Sequence, residues 1–290
     1  MSIGARLLPL VAITGSSILV SCGGYGGSSC GSFGSYGSYG GFFGSFGARR
    51  SRASKAAGPS SRSSQLAPAS VCGAPAQGAD GIYEGTLTNQ GAQQGNSVFA
   101  IIAETGDGRV SSQDGTYYRL SLAEVGSSVT GSFTGYSTGV SFPDGGQSTA
   151  GTVGATLTLA GLSGTLTDGA GHAAALALTY DNTYAIGSSL ATLVGAWSYS
   201  TSGFSLTLTI QADGTLSGLD ANGCSYSGAF SLIDPAFDAY SESYTRTCNG
   251  SSVAFTGLAS YFPAAATTPA QIRLLADDGA SQYLAADLVE

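Results

Sequence analysis

Beyond residue 78 the chain alternates hydrophobic and polar positions with a period of two. In "FSLTLTIQ" (204–211) and "ATLTLAG" (155–161) every second side chain is apolar and its neighbours are mostly Ser, Thr or Ala. That is the pattern of half-buried strands, whereas an amphipathic helix needs apolar residues three and four apart. Turn chemistry punctuates the runs. Asp80, Asp107, Asp114, Asp144, Asp168, Asp213, Asn222, Asn249 and Asp278 are each followed by Gly. Such pairs accept the positive φ angles of tight hairpins, and strands joined by tight hairpins must be antiparallel. The pattern therefore predicts an all-β, up-and-down meander.

The meander occurs twice. Gly81-Ile82-Tyr83 opens one set of strands and Gly195-Ala196-Trp197 opens a second, 114 residues later, and "IIAETGDGRV" in the first set parallels "TIQADGTLSG" in the second. About eight antiparallel strands of this length close into a barrel that side chains can fill or that holds one small ligand. Closure also removes the unpaired edges that template aggregation. We expect two tandem barrels, at 79–189 and 190–290. One transmembrane barrel of about 16 strands is the competing architecture; Gly, Ser and Thr on both strand faces and the chain end "YLAADLVE", which lacks a terminal aromatic, count against it.

One hairpin can be read to the residue. Asp234-Pro235 favours a turn, and Cys224 and Cys248 are symmetric about position 236. In that register Cys224 opposes Cys248 at a distance a disulfide spans. Cys224, Tyr226, Phe230 and Leu232 then share one face with Tyr240, Glu242, Tyr244, Arg246 and Cys248, while the other face is almost wholly Ala, Ser and Thr. Large groups inside and small ones outside suit a barrel interior. Tyr226 would oppose Arg246, a cation–π geometry. Two readings stand: Tyr226, Tyr240, Glu242, Tyr244 and Arg246 wall a polar ligand cavity, or they fill a core whose Arg and Glu satisfy each other.

Charge changes the picture at the N-terminal side. Six basic residues precede residue 72, whereas all 18 acidic residues follow it, against Arg109, Arg119, Arg246 and Arg273 alone. An acidic folded region repels phosphate backbones, which argues against nucleic acid as a partner. From 22 to 78 the chain is low in complexity: "GSFGSYGSYGGFFGSFG" and then a basic Ser/Pro-containing stretch, a composition that buries too little to offset ordering and reads as a tether.

Ahead of it, Leu7 to Val20 is an apolar run of 14 residues behind Arg6. A spanning helix needs about 20 such residues, and an export signal about 7 to 15, so residues 1–21 read as a signal peptide. Its end, Leu19-Val20-Ser21-Cys22, resembles the lipobox of bacterial lipoproteins. The resemblance implies cleavage before Cys22, acylation of that Cys and a lipid-anchored place at the outer membrane, since Gly23 stands where Asp marks inner-membrane retention. Cysteine arithmetic agrees: removing Cys22 from five leaves Cys30, Cys72, Cys224 and Cys248, an even set for an oxidising compartment. Gly195-Ala196-Trp197 is similar to the Gly-x-Trp opening of lipocalin-type barrels, with Tyr83 in place of Trp in the first half. The anchor together with barrels resembles the transferrin-binding protein B and factor H-binding protein families.

Catalytic chemistry finds little footing. His172 is the only His and sits beside a turn, which leaves no material for a hydrolase triad or zinc site. Glu104 with Asp107, and Asp277 with Asp278, are acids at turns; no Asp-x-Asp-x-Asp-Gly calcium loop and no Gly-Lys-Ser/Thr phosphate loop occurs. The expectation is therefore no enzyme, no metal and no cofactor, and a membrane-anchored binding or interaction module for a small ligand or a protein. The alternative is an assembly role with filled barrels, in which an open Tyr-lined interior would favour binding and a packed one assembly.

Overall fold

A computed structural model describes residues 78–290, apart from 139, 140 and 144. Cys22, the tether, Cys30 and Cys72 lie outside the described residues.

The first eight strands are β1 (Gly81–Asn89), β2 (Asn96–Ile102), β3 (Asp107–Ser112), β4 (Thr116–Val125), β5 (Ser128–Ser137), β6 (Ser148–Thr158), β7 (Gly161–Asp168) and β8 (Ala173–Asp181). Each pairs with the next, and β8 returns to β1, closing an antiparallel barrel. A 3-10 turn (Asn182–Ile186) and the one-turn helix α1 (Leu190–Leu193) lead into a second set. It comprises β9 (Gly195–Thr201), β10 (Phe204–Ile210), β11 (Thr215–Asp220), β12 (Ser225–Leu232), β13 (Tyr240–Cys248), β14 (Ser251–Phe262), β15 (Gln271–Asp277) and β16 (Tyr283–Val289), and it too closes. The fold is thus two eight-stranded barrels in tandem. A single barrel of all the strands is excluded, because the ladder shuts after β8. The two closures differ: β1 and β8 share eight registered pairs, from Ile82↔Asp181 to Asn89↔Ala174, whereas β9 and β16 share only Ser198↔Val289.

Tight coiling of so small a barrel depends on glycine. A Cβ added at Gly228 would stand 2.1 Å from the Ser243 carbonyl oxygen, and one at Gly257 2.1 Å from that of Leu275. Only a residue without a side chain lets neighbouring strands bend this closely.

Alternation sends one set of side chains inward in each barrel. Val98, Ala100, Ile102, Tyr118, Leu120, Phe133 and Leu178 pack in the first; Trp197, Leu206, Leu208, Tyr226, Phe230, Phe255, Ile272 and Leu274 pack in the second. Each large side chain so buried contributes roughly 1.5–3 kcal/mol. The repeat extends to a detail of plugging. Tyr83 donates through its hydroxyl to the Ala79 carbonyl, at 3.0 Å, and Trp197 donates through Nε1 to the Leu193 carbonyl, at 2.7 Å. In both halves the third residue of the opening motif ties the barrel to the segment four residues before it.

A third cluster uses residues of the opposite parity. Ile82, Ile101 and Tyr117 project outward from the first barrel and are buried with Leu258 and Leu275 of the second, and Tyr184 stacks on Phe237 with ring centroids 5.0 Å apart. The two barrels share a buried seam.

Candidate functional site

The predicted hairpin has the predicted register. Residues summing to 472 face each other from Ser225↔Thr247 to Leu232↔Tyr240, and Cys224 is bonded to Cys248. The turn is looser than Asp234-Pro235 alone would make it. Asp234 Oδ1 accepts from the Ala236 amide at 2.8 Å, and the connection continues to Ala239 before β13 begins. Tyr226, Phe230, Tyr240, Glu242 and Tyr244 are buried as expected; Leu232, at the strand end, is 39% exposed and does not join them.

The interior these residues form is packed with rings. Tyr244 stacks on Phe255 at 5.1 Å and tilts against Tyr226 at 5.7 Å. Arg246 stands 5.9 Å from the Tyr226 ring, the expected cation–π neighbour. Its ionic partner, however, is not Glu242. Arg246 Nη2 donates to Asp220 Oδ2 at 2.9 Å, and Asp220 also accepts from the Cys224 amide and the Tyr226 hydroxyl. Burial would raise the Asp220 carboxyl, but these donors, led by Arg246, hold it below the ordinary carboxylate value. Burial also pushes the Tyr226 phenol up to about 12, so it remains a donor. The reason for the corrected pairing is distance: Glu242 and Arg246 are four residues apart on one strand, about 13 Å at the rise of a β-strand, whereas Asp220, at the end of β11, is reached by Arg246 across the intervening strand β12.

Glu242 stays on the inward face between Tyr240 and Tyr244, and its neighbours Ser241 and Ser243 turn outward to a cleft on the seam. This space of about 340 Å³ is lined by Asp107, Arg109 and Arg119 of the first barrel and by Ser231, Ser241, Ser243 and Gly257 of the second. Arg109 is 1% exposed; it pairs with Asp107, and its Nε lies 3.1 Å from Asp277 Oδ2 without the alignment of a hydrogen bond. Tyr117 donates to the same Asp277 oxygen at 3.2 Å. Arg119 reaches Asp277 Oδ1 at 3.6 Å and stays 44% exposed. Desolvation pushes the Glu242 carboxyl well above its ordinary value against the pull of Arg109. What the cleft can do is hydrogen-bond: it presents guanidinium and hydroxyl donors beside carboxylate and hydroxyl acceptors.

Comparison with known proteins gives no name to this arrangement. No known protein family, curated protein or solved structure matches the chain. Elsewhere, His172 Nδ1 lies 2.8 Å from Asp168 Oδ2 at an exposed turn, and among the described residues no cluster of three or more His, Cys, Asp or Glu is placed to hold a metal.

Sequence reasoning took Arg109 and Arg119 as scattered charges and Asp107 and Asp277 as acids at turns, whereas Asp277 is buried against Arg109, and it did not single out Tyr117. Their signal was present in two forms: Arg is scarce in the acidic region, and Arg109 interrupts the polar face of a strand otherwise ending in Ser. Neither form says that a second barrel packs there.

Proposed function

We propose that this chain is a lipid-anchored protein of the bacterial envelope that acts as a rigid interaction module through the outer surface of its paired barrels. The observation that carries this reading is the contrast between the barrel interior around Tyr226, Tyr244 and Phe255, filled by contacting rings, and the seam, which leaves a polar cleft open on the outside. A carrier that encloses its ligand needs room where these rings sit. The anchor rests on Leu19-Val20-Ser21-Cys22, and an acyl group on Cys22 would hold the module on the membrane while the tether gives it reach. The outward faces of strands such as β10, whose Ser205, Thr207 and Thr209 are exposed, are polar and suit water rather than lipid.

Photo-cross-linking in intact host cells tests the reading. A photoreactive residue at Ser241, in the cleft, is expected to capture a defined envelope component that the same residue at Thr207, on an exposed strand face away from the cleft, does not. Absence of any capture at Ser241, or equal capture at both, overturns the interaction reading and leaves the assembly role.

A further inference from the structure

The segment that connects the barrels is gripped by a loop of the second one, residues 233–239 between β12 and β13. The Asp238 amide donates to the Tyr184 carbonyl at 2.8 Å, and the Ser188 amide donates to the Pro235 carbonyl at 3.1 Å. The Ser188 hydroxyl donates to the Asp234 carbonyl at 3.2 Å, and the Phe237 ring stacks on Tyr184. Tyr184 in turn donates through its hydroxyl to Glu104 of the first barrel at 2.7 Å. The loop is itself fastened by the Asp238 side chain. Asp238 Oδ2 accepts from the Ser260 hydroxyl at 2.6 Å and from the Tyr261 amide at 3.0 Å, which pins the loop to β14. This carboxyl is fully buried, and among the described residues it has no ion pair. Asp181, at the end of β8, faces it with charge of the same sign. The Tyr240 phenol lies near it on β13, Tyr261 follows Ser260 on β14, and the Tyr184 phenol is committed to Glu104.

We propose that loop 233–239 is an acid-tightened latch on the linker: it stays shut while Asp238 is protonated, and as the proton is lost it lifts, carrying the carboxylate to water and releasing Tyr184 and Ser188. The geometry separates the two protonation states. A buried carboxylate without a cation is costly, whereas the carboxylic acid is not and keeps its partners, accepting from the Tyr261 amide while its own hydroxyl donates to Ser260. Desolvation accordingly raises this carboxyl to about 7 in the shut loop, against about 4 for an Asp in water. Between those values each pH unit favours the lifted form about ten-fold, and outside them the ratio is constant. The latch is independent of the lipid anchor and of any partner.

Amide hydrogen exchange of the full chain, followed residue by residue by NMR between about pH 5 and 8, tests the latch. Exchange through a local opening scales with the opening ratio and with the intrinsic rate, which itself rises about ten-fold per pH unit. The Ser188 and Tyr261 amides are therefore expected to exchange about a hundred-fold faster per pH unit up to about 7 and about ten-fold faster per unit above it. Throughout, they should exchange faster than the paired amides of β1 and β8. In Asp238→Asn, which is isosteric and keeps a donor and an acceptor, the rise should be about ten-fold per unit over the whole range. Glu242, also buried, remains in that variant, so a steep rise that survives there belongs to another group and overturns the proposal. A rise of only about ten-fold per unit in the parent overturns it without any variant. So does exchange of Ser188 and Tyr261 no faster than that of β1 and β8, which would confine Asp238 to global unfolding.

Discussion

Arg109 Nε and Asp277 Oδ2 stand 3.1 Å apart across the seam between the barrels, with side chains 1% and 0% exposed. Breaking a buried pair strands the remaining charge, which costs about 3–5 kcal/mol. Asp277→Ala also strips the Tyr117 hydroxyl of its acceptor, although Arg109 keeps Asp107. We expect a loss near the lower bound, about 3 kcal/mol, by urea unfolding. The double variant Arg109→Met with Asp277→Leu should recover most of it. A single change that leaves stability untouched would mean the pair does not hold the seam.

Asp238 provides a pH signature. It is fully buried, and desolvation pushes its carboxyl up to about 7 despite hydrogen bonds from Ser260 and the Tyr261 amide. The folded state therefore binds this proton more tightly than the unfolded state. The contribution to stability is complete below about pH 4, falls as pH rises towards 7, and is constant above, with an upper bound of about 4 kcal/mol. Asp238→Asn should flatten that segment of the stability profile. The carboxyls held below their ordinary value, Asp168, Asp213, Asp220 and Asp278, act in the more acidic window, where protonating them removes stability. A variant profile parallel to the parent between pH 4 and 7 would assign the slope to another group.

The Cys224–Cys248 bond spans 24 residues of sequence. Chain-entropy arguments give such a loop about 3 kcal/mol, reduced where the unfolded chain keeps structure. Replacing both Cys with Ala should lower the melting temperature, and non-reducing peptide mapping of the parent should recover the 224–248 linked pair. Recovery of Cys30 or Cys72 on either partner would contradict the hairpin register.

Cys22→Ser tests the anchor. Acylated Cys22 is the only membrane attachment proposed once the signal is removed, so the variant should remain unprocessed or become soluble on fractionation. Normal processing with tight membrane retention would sink the lipoprotein reading.

The meander, its repeat and the Cys224 hairpin were legible because each depends on neighbours in sequence or on a single turn. Period-two alternation in "FSLTLTIQ" names both the strand and its buried face. The seam was hidden for the same reason: Ile101 and Leu275 lie on the parity that alternation assigns to solvent, and only packing against another barrel buries them. The Arg246 partner was misread because Asp220 precedes an Asn-Gly turn, where an acid is ordinarily solvated. Its burial follows from barrel closure, which sequence spacing does not encode.

Unequal closure makes the second barrel a stave-built wall with one loose joint. The ladder joining β9 to β16 is a single registered pair, supported by the Ser198 hydroxyl bonding the Val289 carbonyl at 3.3 Å. Amide protons along this joint should exchange with solvent before those of the β1–β8 ladder, because sub-global opening follows the fewest backbone bonds. Opening there would part β16 from β9, with β16 still held to β15 by seven registered pairs, while the disulfide keeps β12 and β13 stapled together. The molecule thus has a defined place to breathe, the joint between β9 and β16.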